Sequence, residues 1–109
     1  ASVDSSALYC FSHPLTGGKQ IVCESWRNLI SVGAEPIAIT NCLNFGNPEK
    51  EKNMGEFVEC VQGISEACKY LDFPVVSGNV SFYNETKNIT ANDINSSAVY
   101  PAEMWLFDI

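Results

Sequence analysis

Hydrophobic residues recur along this chain at helical spacing in two places, and the first is residues 17–32. Apolar positions and one small serine recur there at three- and four-residue steps, the spacing of one helix face: Ile21, Val22, Ser25, Trp26, Leu29 and Val32. Gly33 follows them, and glycine often ends a helix. The pattern predicts a helix over residues 17–32.

A second helix is predicted over residues 54–71, where the pattern is clearest. Its apolar positions form one stripe: Met54, Phe57, Val58, Val61, Ile64, Cys68 and Leu71. Charged and amide side chains fall largely on the other face: Glu56, Glu59, Gln62, Glu66 and Lys69. Pro74 follows and cannot continue a helix.

Two short β-branched segments flank this second helix. Residues 34–43 predict a mostly buried strand, residues 44–53 a loop, and residues 73–82 a second strand that Gly78 interrupts. A helix that joins two strands in this way usually connects parallel strands. The chain from residue 84 onward lacks periodicity, and its apolar end has no identifiable partner.

Composition and charge narrow the classes of protein. A length of 109 residues predicts one domain, and a hydrophobic share of 46 % is typical of a globular chain. The net charge of −7 argues against nucleic acid or a membrane surface as a partner. No apolar run reaches the ~20 residues of a membrane helix. The first residues show no signal-peptide pattern, so we expect a cytoplasmic protein.

Cysteines and N-glycosylation patterns favour a different class, a small secreted, non-enzymatic glycoprotein with partial disulfide pairing. The cysteines are Cys10, Cys23, Cys42, Cys60 and Cys68, and the glycosylation patterns begin at Asn79, Asn84, Asn88 and Asn95. An odd number of cysteines leaves one unpaired, and Cys68 lies on a predicted apolar stripe, where a free thiol packs as a small hydrophobe. We expect five free thiols and keep the secreted glycoprotein as the alternative.

Small and polar residues gather at the carboxyl end of the first predicted strand, at residues 40–49, and within the second, at residues 77–81. Ligands of open α/β sheets bind at the carboxyl ends of parallel strands. Gly78 allows a ligand to approach the backbone, and Asn79 offers a hard carbonyl oxygen suited to Mg²⁺. Ser81 is two positions further and shares the strand face of Asn79. An ordinary turn is the alternative interpretation of this composition.

No catalytic residue is predicted from these patterns. His13 is the only histidine, precedes Pro14, and has no carboxylate or cysteine beside it in the sequence. Gly17, Gly18 and Lys19 are too few for a phosphate-binding loop. They fit an ordinary helix start better than an anion site at a helix N-terminus.

Two stretches, VGAEPIAITNCLNFGNPEK (32–50) and SEACKYLDFPVVSGNVSFYNET (65–86), resemble the phosphoribosylformylglycinamidine synthase family. The chain looks like the second of the two repeats of that family, each with the N-terminal domain fold of aminoimidazole ribonucleotide synthetase. The resemblance implies an α+β fold with a mixed β-sheet covered by helices. It divides the chain into a partial synthetase-like domain over residues 1–86 and a divergent tail over residues 87–109.

The resemblance also implies an activity, the ATP-dependent amidation of formylglycinamide ribonucleotide in purine biosynthesis. A glutaminase component supplies the ammonia in that system. Asn41 matches an ATP contact, where many members have Asp, and Gly78 matches a second ATP contact. Asn79 matches a Mg²⁺ ligand, and Ser81 matches a contact to the ribonucleotide substrate.

The catalytic histidine, the ATP-binding lysine and the Mg²⁺-binding carboxylates of the family belong to its first repeat, which this sequence does not match. We therefore expect part of a nucleotide and substrate site without full catalysis. Two such domains join their sheets in the related fold. An isolated copy would expose a sheet face, so we expect a homodimer or pairing with the missing remainder of the synthase.

Overall fold

The described part of the chain holds four strands and three helices, in a computed structural model that describes residues 1–84 and the backbone of residues 102–108. In chain order they are β1 (Val3–Ser5), α1 (Ala7–Ser12), α2 (Pro14–Ser31), β2 (Ile39–Phe45), α3 (Glu51–Leu71), β3 (Val75–Ser81) and β4 (Ala102–Asp108). The predicted α+β class is confirmed. The glycosylation patterns at Asn88 and Asn95 lie outside the described residues.

The strands form one mixed sheet in the order β1-β4-β2-β3. The prediction that β2 and β3 are parallel is confirmed, and β4 is antiparallel to both β1 and β2. β2 begins at Ile39, whose N–H donates to the Pro74 carbonyl at 2.9 Å, rather than at residue 34. Pro36 has no N–H to donate to a sheet, which fits a later start. The strand also runs through Asn44 and Phe45, which the sequence placed in a loop.

The apolar end of the chain, for which the sequence indicated no partner, forms β4 and pairs with β1 and β2. It lies between the three-residue β1 and β2, so that residue 105 stands opposite Ser5 on one side and Cys42 on the other. Such pairing joins segments far apart in sequence, and a local pattern cannot show it. The division at residue 86 stays a prediction, because residues 85–101 lie outside the described part.

Glycines set the distance between α2 and α3. A methyl group on Gly18 would lie 2.5 Å from the Cys60 carbonyl oxygen, and one on Gly63 would collide with the Leu15 carbonyl oxygen. α2 starts at Pro14, earlier than predicted, and the Gly17 N–H donates within the helix to the His13 carbonyl at 2.7 Å. This segment therefore serves helix packing, and the alternative of an anion site at Gly17 is not supported. Gly33 ends the helix region with a φ of +76°, as its position predicts.

The buried face of α3 is rotated from the predicted stripe. Met54, Val58 and Val61 are 42 %, 50 % and 38 % exposed, whereas Glu56, predicted on the polar face, is 7 % exposed. Because α2 approaches α3 closely along small residues, the contact lies on the side of Gly63. The prediction that the apolar stripe is the buried face was therefore only partly right. The core lies between the helices and the sheet: Cys10, Ile21, Val22, Leu29, Ile39, Leu43, Phe45, Cys60, Ile64, Ala67 and Phe73.

All five cysteines are free thiols in the structure, as expected. Cys10 and Cys60 are fully buried and hydrogen-bonded to each other, which lowers the pKa of Cys10 and raises the pKa of Cys60. Free thiols do not support the disulfide-paired alternative. Among the described residues, no helix combines the length and apolar character needed to cross a membrane.

Candidate functional site

A cavity of about 720 Å³ lies at the carboxyl ends of β2 and β3, the edge at which the sequence predicted a site. Its polar lining residues are Asn47, Glu49, Ser81 and Tyr83. Asn47 and Glu49 belong to the segment after β2, and Ser81 ends β3. Parallel pairing of β2 with β3 brings these two chain segments to one end of the sheet.

The segment after β2 is held by one asparagine of α3. Asn53 is buried and its Nδ2 donates to the Asn47 carbonyl at 3.0 Å. Asn47 Oδ1 in turn accepts from the Glu49 N–H at 2.9 Å, which makes an Asx turn. Asn47 and Glu49 lie in the polar segment 40–49 that the sequence indicated, without an individual role, and Asn53 was given none. The Asn-Pro-Glu order was a turn signal, but the contact with Asn53 depends on how α3 packs.

Asn41 and Gly78 stand opposite each other in the β2–β3 ladder. A methyl group at Gly78 would lie 2.5 Å from the Asn41 carbonyl oxygen and would collide with its side-chain Oδ1. Glycine is therefore required there by the neighbouring strand. Asn41 also lines a second cavity of about 480 Å³ between α3 and β3, together with Ile64 and Cys68.

Asn79 and Ser81 lie on the other face of the sheet. Asn79 pairs with Cys42 and Ser81 with Asn44, so they alternate with the positions of Asn41 and Gly78. Ser81 Oγ donates to Asn44 Oδ1 at 2.7 Å. The expectation that Asn79 and Ser81 share a face fits this register. The four predicted site residues thus form two pairs on opposite faces of the same two strands.

Asn79 has the features of a cation ligand. Its side chain is exposed, and it accepts no side-chain hydrogen bond from the described part of the chain. Mg²⁺ keeps several waters and is usually bound by one or two carboxylates together with substrate phosphates, so an amide oxygen would act beside such ligands. Within residues 1–84, no three His, Cys, Asp or Glu side chains form a cluster that could hold a metal. A divalent cation here would rely on Asn79 together with water and ligand oxygens.

Glu56 is the buried carboxyl group of the described region, and Oε2 has no hydrogen-bond partner there. Burial raises its pKa, while Lys52 acts in the opposite direction. His13 lies exposed between α1 and α2, in an extended conformation with a φ of −143°, as the following Pro14 predicts. Neither residue lines the cavity at the ends of β2 and β3.

Comparison with known proteins identifies a family and several relatives that this chain is similar to. The family model described as AIR synthase related protein, N-terminal domain, matches residues 1–99. The phosphoribosylformylglycinamidine synthase subunit PurL of Pelagibacter ubique is 83 % identical over 89 residues, which are 82 % of this chain and 12 % of that protein. The corresponding subunit of Parvibaculum lavamentivorans is 64 % identical over 85 residues, 78 % of this chain and 12 % of that protein.

Solved structures show the same likeness. Thermotoga maritima PurL complexed with AMPPCP superposes with a TM-score of 0.77 and 30 % identity, over 98 % of this chain and 17 % of that one. The same protein complexed with FGAR gives a TM-score of 0.71 and 30 % identity, over 98 % and 16 %. The chain spans only 12 % of the length of the curated relatives it matches. Because the family model covers most of its residues, the chain belongs to the AIR synthase related family and carries the N-terminal domain of that family.

Proposed function

We propose that this chain forms part of the nucleotide and ribonucleotide site of a phosphoribosylformylglycinamidine synthase. The observation that carries the proposal is its 83 % identity over 89 residues with the PurL subunit of Pelagibacter ubique. The reaction would be the ATP-dependent amidation of formylglycinamide ribonucleotide. Complexes of Thermotoga maritima PurL with ATP and with FGAR support both ligand classes.

The nucleotide would meet the chain at Asn41 and Gly78, with Mg²⁺ on Asn79, and would reach the two faces of the sheet around the exposed edge strand β3. Gly78 is exposed, the Asn41 side chain occupies the space that a Cβ of Gly78 would take, and the amide of Asn79 lies one residue further. The chain carries a net charge of −7 and repels polyphosphate at long range. Bound Mg²⁺ would neutralise phosphate charge. Asn41 stands where many family members have Asp, and its neutral amide adds no further repulsion.

Ser81 is the proposed contact to the ribonucleotide, because it lines the cavity at the ends of β2 and β3. No group in that cavity is arranged as a general base with a partner in the described residues. The catalytic groups would therefore come from the remainder of the synthase. We place the whole assembly in the cytoplasm.

Pairing with another sheet is the proposed role of β3. All but the last of its residues are exposed, Val76 to 60 %, and it forms one edge of the sheet in the described region. An uncovered edge strand offers free N–H and C=O groups to a partner. The partner would be a second copy or another part of the synthase, and a glutaminase component would join them. The solved structure of Thermotoga maritima PurLQS supports association with other subunits.

A chimera tests the proposed function. The matched 89 residues of the Pelagibacter ubique subunit are replaced by those of this chain, and the unmodified subunit is the control. We expect ATP-dependent amidation of formylglycinamide ribonucleotide, with ammonium as nitrogen source, at a rate close to that of the control. A chimera that folds, as judged by circular dichroism, yet has no amidation activity would contradict the proposal.

A further inference from the structure

A chain of side-chain hydrogen bonds runs along the face of the sheet that carries Ser81. Ser81 Oγ lies 2.7 Å from Asn44 Oδ1, across the junction of β3 and β2. Asn44 Nδ2 lies 3.5 Å from the sulfur of Cys42, two residues earlier on β2. All three residues are half-buried. The family resemblance assigned a role to Ser81 and none to Asn44 or Cys42.

The chemistry of these groups fixes the direction of the bond. A serine hydroxyl has one proton to donate and two lone pairs, and an amide oxygen can only accept. Because Asn44 Oδ1 faces Ser81, the single proton of Ser81 is committed to Asn44. The contact of Asn44 Nδ2 with the Cys42 sulfur holds the amide in this orientation. Toward the cavity that it lines, Ser81 can therefore only accept hydrogen bonds.

We propose that Asn44 is a positioning residue that makes Ser81 a hydrogen-bond acceptor toward the ligand. Ser81 then selects a donor group, such as a ribose hydroxyl or an amide N–H, and disfavours a phosphate oxygen. The inference rests on the proposed function, because it takes Ser81 as a contact to the ribonucleotide. It adds that Ser81 accepts the hydrogen bond in that contact, and that Asn44 determines this direction.

The test is a mutant cycle in the full-length chimera. The effect of Ser81→Ala on the KM for formylglycinamide ribonucleotide is measured in three backgrounds: the unaltered residue, Asn44→Asp and Asn44→Leu. Asp keeps the acceptor for the Ser81 proton, whereas Leu removes it. The KM for ATP is measured in parallel, together with Asn28→Ala, which deletes an exposed amide whose Nδ2 donates to Asp4 at 3.2 Å, outside the site.

We expect Ser81→Ala to raise the ribonucleotide KM about 3- to 10-fold in the unaltered and Asn44→Asp backgrounds, as for loss of one hydrogen bond. The effect should fall below about 2-fold in the Asn44→Leu background, where nothing fixes the hydroxyl. The KM for ATP should stay constant, and Asn28→Ala should change neither KM. A merely structural role of Asn44 would instead shift both KM values and leave the Ser81→Ala effect equal in all backgrounds.

Each of the other outcomes shows which claim is wrong. An undiminished Ser81→Ala effect in the Asn44→Leu background overturns the positioning role alone. Loss of the effect in the Asn44→Asp background shows that Ser81 donates to the ligand, which overturns the proposed polarity. No effect of Ser81→Ala in the unaltered background overturns the inference by removing the ribonucleotide contact. An inactive, folded chimera overturns the proposed function itself.

Discussion

Two glycines of α3 should respond in opposite directions to the same substitution. At Gly63 an added methyl group would collide with the Leu15 carbonyl oxygen and lie 3.2 Å from the Lys19 nitrogen, both of them α2 backbone atoms. At Gly55 an added methyl group would find no atom within 4 Å. Both positions lie inside the same helix, so Gly55→Ala is a matched control for Gly63→Ala.

The magnitudes follow from this difference. Alanine stabilises a helix interior by roughly 0.5–1 kcal/mol over glycine, and Gly55→Ala should show that gain. Gly63→Ala has the same gain, but overpacking typically costs about 1–3 kcal/mol. Because the obstacle is backbone and not a flexible side chain, we expect the upper end of that range. The net loss for Gly63→Ala is then about 2 kcal/mol, and the two variants differ by about 3 kcal/mol.

Urea denaturation of the 109-residue chain, followed by far-ultraviolet circular dichroism, measures both free energies of unfolding. The slope of the free energy with urea should be equal in the two variants, so that the midpoints alone report stability. Equal stabilisation by Gly63→Ala and Gly55→Ala would show that α2 and α3 do not cross at Gly63. The buried face assigned to α3 would then be wrong.

Three further predictions concern the thiols, the buried carboxyl group and the strand pair. Iodoacetamide should modify the half-buried Cys23 and Cys42 first, since Cys10 and Cys60 are fully buried and burial raises the pKa of Cys68 to about 11. Five labels per denatured, unreduced chain should appear by mass spectrometry, and fewer would indicate a disulfide. Burial raises the pKa of Glu56, so the folded state holds this proton more tightly than the unfolded state, and stability falls as the pH rises from its ordinary value of 4.5 toward the raised pKa. Urea midpoints across this range should show the fall, and Glu56→Gln should flatten it; an unchanged slope would mean that the carboxyl group is solvated. Gly78→Ala should cost about 1–3 kcal/mol in urea denaturation, because its methyl group would lie 2.5 Å from the Asn41 carbonyl oxygen, and a neutral result would contradict the β2–β3 register.

The elements that depend on local signals were predictable from the sequence. Gly33 marked the end of α2, and the helix between two β-branched segments indicated parallel pairing of β2 and β3. The buried face of α3 was not predictable from its apolar residues. Its orientation depends on Gly63 and on what α2 presents to it, and hydrophobicity patterns give glycine no weight. β1 and β4 were missed because their pairing is long-range.

The candidate site, like the fold, was predictable from the sequence only in part. The residue types of Gly78 and Asn79 already indicated close backbone approach and a hard oxygen ligand. The sequence could not show that Gly78 also faces Asn41, or that Ser81 shares its proton with Asn44, because both contacts arise from strand register. Asn53, which holds the segment after β2, was predicted to lie in a loop, whereas α3 begins at Glu51 and includes it.

Calorimetric titration of the chain with ATP, with and without Mg²⁺, tests the central claim most directly. We expect saturable heat that requires Mg²⁺ and that Asn79→Ala weakens severalfold, since a hard oxygen ligand is removed. Gly55→Ala, which alters the same domain without touching the site, should bind Mg-ATP as the unaltered chain does. Equal binding by Asn79→Ala and the unaltered chain, or binding that is indifferent to Mg²⁺, would contradict a nucleotide and metal site at Gly78 and Asn79.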